Sequence, residues 1–256
     1  MVRCKYMKKG IDISYWQGNI DFSKVAKNVD FVILREGYRK TVDPKFMEYV
    51  NGCKKNGIPI KGVYHFCYAT SAAGAREEAA VCMENIKKAG LGKDVIVFFD
   101  FEYDTVEKAA AQGVKLGKSE CILFTKEFCT YVESQGYTPG IYSNLDYYRN
   151  MYEPDLIKKY VFWLADYSGE ADVPCAYHQY TNKGKVPGIN GDIDMDYFYD
   201  TENKEDGNMG RTAQDYLNVW RSWLGFSEAN GKFKQIIDLY NSHKPLARGY
   251  AVQYRD

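Results

Sequence analysis

Short apolar runs alternate with amphipathic stretches from the start of the chain to about residue 200. The runs are GIDIS (10–14), FVILREG (31–37), IKGVYHFCY (60–68), VIVFFDFE (95–102), GIYSN (140–144), YVFWLADY (160–167), AYHQYT (176–181) and DIDMDYF (192–198). They make eight candidate strands. Between the early ones the period becomes helical. Phe46, Tyr49, Val50 and Cys53 keep i, i+3, i+4, i+7 spacing, and the stretch stops at Gly57. Residues 72–89 and 119–135 read likewise, the latter ending at Gly136. The connections after the sixth and seventh strands are too short for regular helices. Strands alternating with helices predict a parallel sheet. Eight of them over about 190 residues predict an α/β barrel whose last turns lack helices. Nearly unbroken runs such as VIVFF fit strands buried on both faces.

The pattern changes after residue 200. TENKEDGNMG (201–210) is polar and reads as a linker. Thr212 then opens a helix, with Asp215 at the capping-box position and Leu217, Trp220 and Leu224 behind it. A second helix is predicted over 232–242, with Phe233, Ile236, Ile237 and Tyr240 on one stripe. Two helices in 211–256 are marginal as an independent domain. The division is therefore a barrel (1–200), a linker (201–210) and a short C-terminal helical segment (211–256).

Composition narrows the function. With 34 basic and 34 acidic residues the formal net charge is zero, which argues against a nucleic-acid binder. No apolar run approaches the roughly 18 residues of a membrane span, so no membrane insertion is expected. Aromatic residues make up 16% of the chain, with 23 tyrosines, a composition suited either to strands or to flat, half-polar ligands such as sugars. The seven cysteines include no C-x-x-C pair, and the three histidines lie far apart, so neither a metal nor a cofactor is expected. Free thiols in apolar contexts point to synthesis in a reducing compartment. The start, MVRCKYMKKG, is basic without an apolar stretch behind it and is not a signal peptide.

The strongest chemical signal is Asp100-Phe101-Glu102, which ends the run Val95–Phe99. Residues i and i+2 of a strand share a face, with Cα atoms about 6.6 Å apart. Two carboxylates therefore project together from the C-terminal end of a buried strand, the active-site end of such barrels. Their proximity should raise the pKa of one of them. A glycosidic bond needs that pairing, one protonated acid and one ionised group. Asp12 lies in the first strand and Asp194 in the last, with Asp192 and Asp196 at the same parity. In a closed barrel those strands are neighbours, so Asp12 and Asp194 should stand side by side at the same mouth. Tyr64, Tyr142, Trp163, Tyr167 and Tyr180 fall at or near strand ends, and Gln179 offers a hydrogen bond to an amide or hydroxyl.

GIDISYWQG, FFDFE, GIYSN, FWLADY, YHQYT and GDIDMDYF occur in that order. Over roughly residues 8–200 this set resembles a glycoside hydrolase family 25 lysozyme, an N-acetylmuramidase of phage endolysins and secreted bacteriolytic enzymes. The resemblance implies a modified barrel of five β/α units followed by three strands with few helices. It implies cleavage of the β-1,4 bond between N-acetylmuramic acid and N-acetylglucosamine in peptidoglycan. By motif, Glu102 is then the general acid and Asp100 its assisting neighbour, with Asp12 and Asp194 completing the acidic floor. Tyr64, Tyr142, Trp163, Tyr167 and Gln179 would line the groove. Three mechanisms stay open: substrate-assisted retention, which is favoured, an aspartate nucleophile, and inversion through water. An inactive glycan-binding barrel and a chitinase-like specificity are the rival readings. The tail resembles the opening helices of a truncated cysteine peptidase or amidase domain. Synthesis in the cytoplasm and action on the cell wall, as for a phage or prophage lysin released at lysis, complete the expectation.

Overall fold

The computed structural model describes residues 7–199. The linker expected at 201–210 and the helical segment expected at 211–256 lie outside the described residues. Nine strands form one sheet: β1 (Met7–Ile13), β2 (Phe31–Tyr38), β3 (Thr41–Val42), β4 (Ile60–Phe66), β5 (Ile96–Asp100), β6 (Thr138–Asn144), β7 (Val161–Ala165), β8 (Tyr177–Gly184) and β9 (Ile193–Tyr199). Seven α-helices accompany them: α1 (Phe22–Val25), α2 (Phe46–Asn56), α3 (Ala72–Lys88), α4 (Tyr103–Ala110), α5 (Lys118–Ser134), α6 (Leu145–Asn150) and α7 (Pro154–Lys159). All eight predicted strands are present. β3 is an addition, a two-residue hairpin arm on β2. α4, α6 and α7 did not show in the hydrophobic spacing because they are too short to display a full period. No described helix is long and apolar enough to cross a membrane.

The sheet runs β1-β9-β8-β7-β6-β5-β4-β2 and closes through a β1–β2 pairing. Pairings from β1 through β2, β4, β5, β6 and β7 to β8 are parallel. β9 departs from the parallel expectation and is antiparallel to both β8 and β1. The reason is connection length. A parallel return needs a crossover of roughly a dozen residues or more, and 185–192 are too few.

The period of two sorts the residues between two cores. Val32, Leu34, Val63, Val97, Phe99 and Ile141 face outward and pack under the helices. Phe31, Ile33, Phe98, Tyr142, Trp163 and Tyr177 face inward and fill the barrel. Glycine makes that interior possible at two levels. A Cβ on Gly10 would lie 2.4 Å from the Phe31 ring, and one on Gly140 would lie 2.4 Å from the Phe98 ring. Large rings opposite missing side chains let a narrow barrel close without voids.

Candidate active site

Asp100 is the last residue of β5 and Glu102 caps α4, both on one continuous extended segment (Glu102 φ −129°, ψ −178°). Phe101 between them is fully buried outward, near Phe99, Phe124 and Tyr147. Alternation then turns both carboxyls inward. The backbone is pinned on both sides. Cys67 N–H donates to the Asp100 carbonyl (2.8 Å). The Thr105 hydroxyl donates to the Cys67 carbonyl (2.7 Å) and accepts from Glu102 N–H (3.2 Å).

Both carboxyls are pushed above the usual carboxylate range, and burial is the largest cause for each. Asp100 rises further because it is fully enclosed and faces the charge of Glu102; Arg35 opposes the rise. The hydrogen bond between the two raises Asp100 and lowers Glu102. Burial therefore holds both carboxyls towards their neutral forms, Asp100 the more strongly. The expectation of one raised acid undercounts, because burial acts on both.

β9 lies four strands from β5 in either direction round the barrel, so its acids face this pair across the mouth. Asp12 and Asp194 are register partners on β1 and β9. Burial, with Asp194 and Asp196 beside it, pushes Asp12 well up. Burial alone lifts Asp194 to about 6. Asp196, fully buried, is lifted to about 7 by burial and by the charge of Asp194. Asp192 belongs elsewhere: it is exposed and paired with Lys185.

Gln179 joins the walls. Its amide nitrogen donates to Asp12 Oδ2 (2.7 Å), and its amide oxygen accepts from the Tyr142 (3.1 Å) and Tyr167 (2.7 Å) hydroxyls. Trp163 donates from Nε1 to Asp196 Oδ1 (2.8 Å) and meets Tyr64, Phe98 and Tyr142 edge-on. Its ring is 1% exposed, so it is floor and positions Asp196 rather than presenting a stacking face. Tyr167, 51% exposed, does present one. Tyr180 lies on the outer face, stacked on Tyr197. A bulge between Gln179 and Thr181 precedes its strand partner's Met195.

Three features were not singled out from sequence. Trp16 (72% exposed) and Tyr103 (48%) follow the mouth ends of β1 and β5. Their positions just after GIDIS and FFDFE were the available signal. Arg35 brings a cation to the inner wall beside Tyr64. Behind the wall, His65 is held between Glu36 (2.8 Å) and Glu78 (3.2 Å), all fully buried or nearly so. Both carboxylates lift the imidazole to about 9 against the opposing effect of burial. Cys82 brings its sulfur within 4.8 Å of the Glu36 and His65 ligand atoms. Both His65 nitrogens are engaged by carboxylates, an arrangement that suits an imidazolium and not a metal ligand.

The mouth of the barrel thus carries acids on two facing walls and exposed aromatic rings at its rim. The family model of glycosyl hydrolases family 25 matches residues 11–189. The chain belongs to glycosyl hydrolase family 25. It is a glycoside hydrolase. YegX of Escherichia coli O157:H7 is 28% identical over 214 residues, covering 78% of this chain and 73% of that protein. The autolytic lysozyme of Clostridium acetobutylicum is 29% identical, covering 74% of this chain and 55% of the lysozyme. Among solved structures, the modular autolysin LytC of Streptococcus pneumoniae, in complex with a synthetic peptidoglycan ligand, superposes with a TM-score of 0.67 at 25% identity. The match covers 76% of this chain, which spans about half of that autolysin's length (47%). The family 25 barrel accounts for the five β/α units and the helix-poor final strands.

Proposed function

We propose that this glycoside hydrolase is a lysozyme acting on the cell wall, cutting the β-1,4 bond between N-acetylmuramic acid and N-acetylglucosamine in peptidoglycan. The carrying observation is the Asp100–Glu102 pair, two neighbouring carboxyls of raised pKa on one extended segment, of which Glu102 alone is incompletely buried. Glu102 is the member that reaches the open mouth and is the general acid. Burial and mutual charge favour a proton retained on the pair. An arriving acetamido N–H is accepted by Asp100, and the proton moves along their hydrogen bond to Glu102. Glu102 then protonates the leaving oxygen as the acetamido carbonyl attacks the anomeric carbon. Water opens the resulting ring with Glu102 as base, so the configuration is retained.

On the opposite wall Asp12 is poorly suited to act as an enzymic nucleophile. A nucleophile has to be ionised and free. Asp12 is held towards its neutral form, and one oxygen is occupied by Gln179. Tyr64, Tyr142, Tyr167 and Gln179 shape the groove, and Trp163 supports its floor.

The test is mass spectrometry of fragments released from purified peptidoglycan. Wild type should release muropeptides with new reducing-end N-acetylmuramic acid. Glu102→Gln should lower turnover about 10²- to 10⁴-fold, the usual share of general acid–base catalysis. No new reducing ends from wild type on several wall types would overturn the reading, and release of chitin oligomers instead would reassign the substrate. Retained anomeric configuration, with no cleavage where the muramyl amine is deacetylated, is expected of substrate assistance. An inverted product refutes it.

A further inference from the structure

Arg35 is built as a donor with an unused hand. It lies on the inner wall of β2 beside Tyr64, and its charge acts on both Tyr64 and Asp100, so it faces the same space as the acids. It is 9% exposed. Its Nε donates to Asp43 Oδ2 (2.8 Å), and the side chain of Asp43 is itself fully buried. Asp43 is fixed in turn by the backbone N–H groups of Tyr15 (3.1 Å) and Lys45 (2.8 Å). The guanidinium carbon sits 4.9 Å from the centre of the Tyr15 ring and 5.6 Å from that of Tyr38. One edge and the planar faces are thus committed, and the group has little freedom to turn. Its Nη2, also buried, has no hydrogen-bond partner among the described residues.

A buried N–H without an acceptor is costly, and a ligand oxygen that meets it recovers that cost. Sites that carry such a donor discriminate strongly against a ligand lacking the matching acceptor. The two sugars of a murein strand differ in one such group. N-acetylmuramic acid carries a lactyl ether ending in a carbonyl or carboxylate, where N-acetylglucosamine has a hydroxyl. The acidic mouth repels a carboxylate, and a guanidinium fork suits its two oxygens. We propose that Arg35 is a specificity-determining residue whose Nη2 recognises the lactyl carbonyl or carboxylate of the muramyl sugar. It thereby separates murein from chitin-type glycans at the same site. The proposal rests on the peptidoglycan reading above.

The test measures binding in a Glu102→Gln background, where hydrolysis does not interfere. The probes are peptide-free oligomers of alternating N-acetylglucosamine and N-acetylmuramic acid, and chitin oligomers of equal length, titrated calorimetrically. The Glu102→Gln protein should prefer the lactyl-bearing oligomer by about tenfold or more. Adding Arg35→Gln should erase that preference, through a loss of affinity for the lactyl-bearing oligomer that exceeds any loss for the chitin oligomer. Arg35→Lys, a point charge on a flexible stem, should restore it only in part. Equal loss for both oligomers would overturn the proposal and make Arg35 a structural or Asp100-tuning residue. An undiminished preference would overturn it too. Arg35→Gln leaves Asp43 buried and unpaired, so the same titration is run on Arg35→Gln/Asp43→Asn, which removes both charges. Failure of Glu102→Gln to bind either oligomer would instead sink the underlying peptidoglycan reading.

Discussion

Asp196→Asn should stabilise the protein, and more so at alkaline pH. Asp196 is fully buried, and burial together with Asp194 lifts its carboxyl from 3.8 to about 7. The sign follows from linkage. Above pH 3.8 the unfolded chain releases this proton while the folded one keeps it, so stability falls as pH rises and the loss is complete above about 7. At 1.36 kcal/mol per pH unit the full displacement amounts to about 4 kcal/mol. Part of it is repulsion among Asp196, Asp194 and Asp12, which titrate together, so replacing Asp196 alone recovers about 2 kcal/mol at pH 8. At pH 5 the recovery is about 1 kcal/mol or less, because most of the displacement lies above that pH. The amide oxygen keeps the bond from Trp163 Nε1. The amide nitrogen takes the place of Oδ2, a buried oxygen without a partner among the described residues, and offers a donor towards Asp12. Urea unfolding at the two pH values reads the difference. In thermal melts it is worth about 4–8 °C at pH 8 for a domain of this size. A variant less stable than wild type at both pH values would refute this account of Asp196. An equal gain at pH 5 and 8 would show that repacking, not ionisation, is responsible.

Two further substitutions probe the groups that hold the site. His65→Gln leaves Glu36 and Glu78 buried without their cation and should destabilise the fold by about 3–5 kcal/mol, measured by denaturant titration at pH 7. Because His65 is lifted to about 9, its contribution in wild type is fully present below about 6.5 and is lost as pH rises through 9, so wild type and variant should converge above pH 10. Thr105→Val removes the hydroxyl that links Glu102 N–H to the Cys67 carbonyl. It should reduce stability by about 1–3 kcal/mol and lower kcat more than it raises KM. A variant with normal kcat and reduced stability would limit Thr105 to a structural role.

Local chemistry made much of this protein legible in one dimension. A period of two places Asp100 and Glu102 on one face whatever surrounds the strand, and a helix that needs a left-handed terminator finds it at Gly57 (φ +68°). The eight apolar runs mark the strands because a strand buried on both faces has few polar positions to show. Tertiary structure decided the rest, since it depends on partners distant in sequence. The short connection at 185–192 turns β9 antiparallel, and in that register Asp194 is the partner of Asp12. Burial, a property of the closed barrel, is what raises both carboxyls of the Asp100–Glu102 pair. The bulge in β8 accompanies the outward placement of Tyr180, where sequence spacing suggested the mouth. Arg35 reads in sequence as one polar residue in an apolar run. Its meaning depends on Asp43, Tyr15 and Tyr38 closing around it, and no local pattern records those contacts.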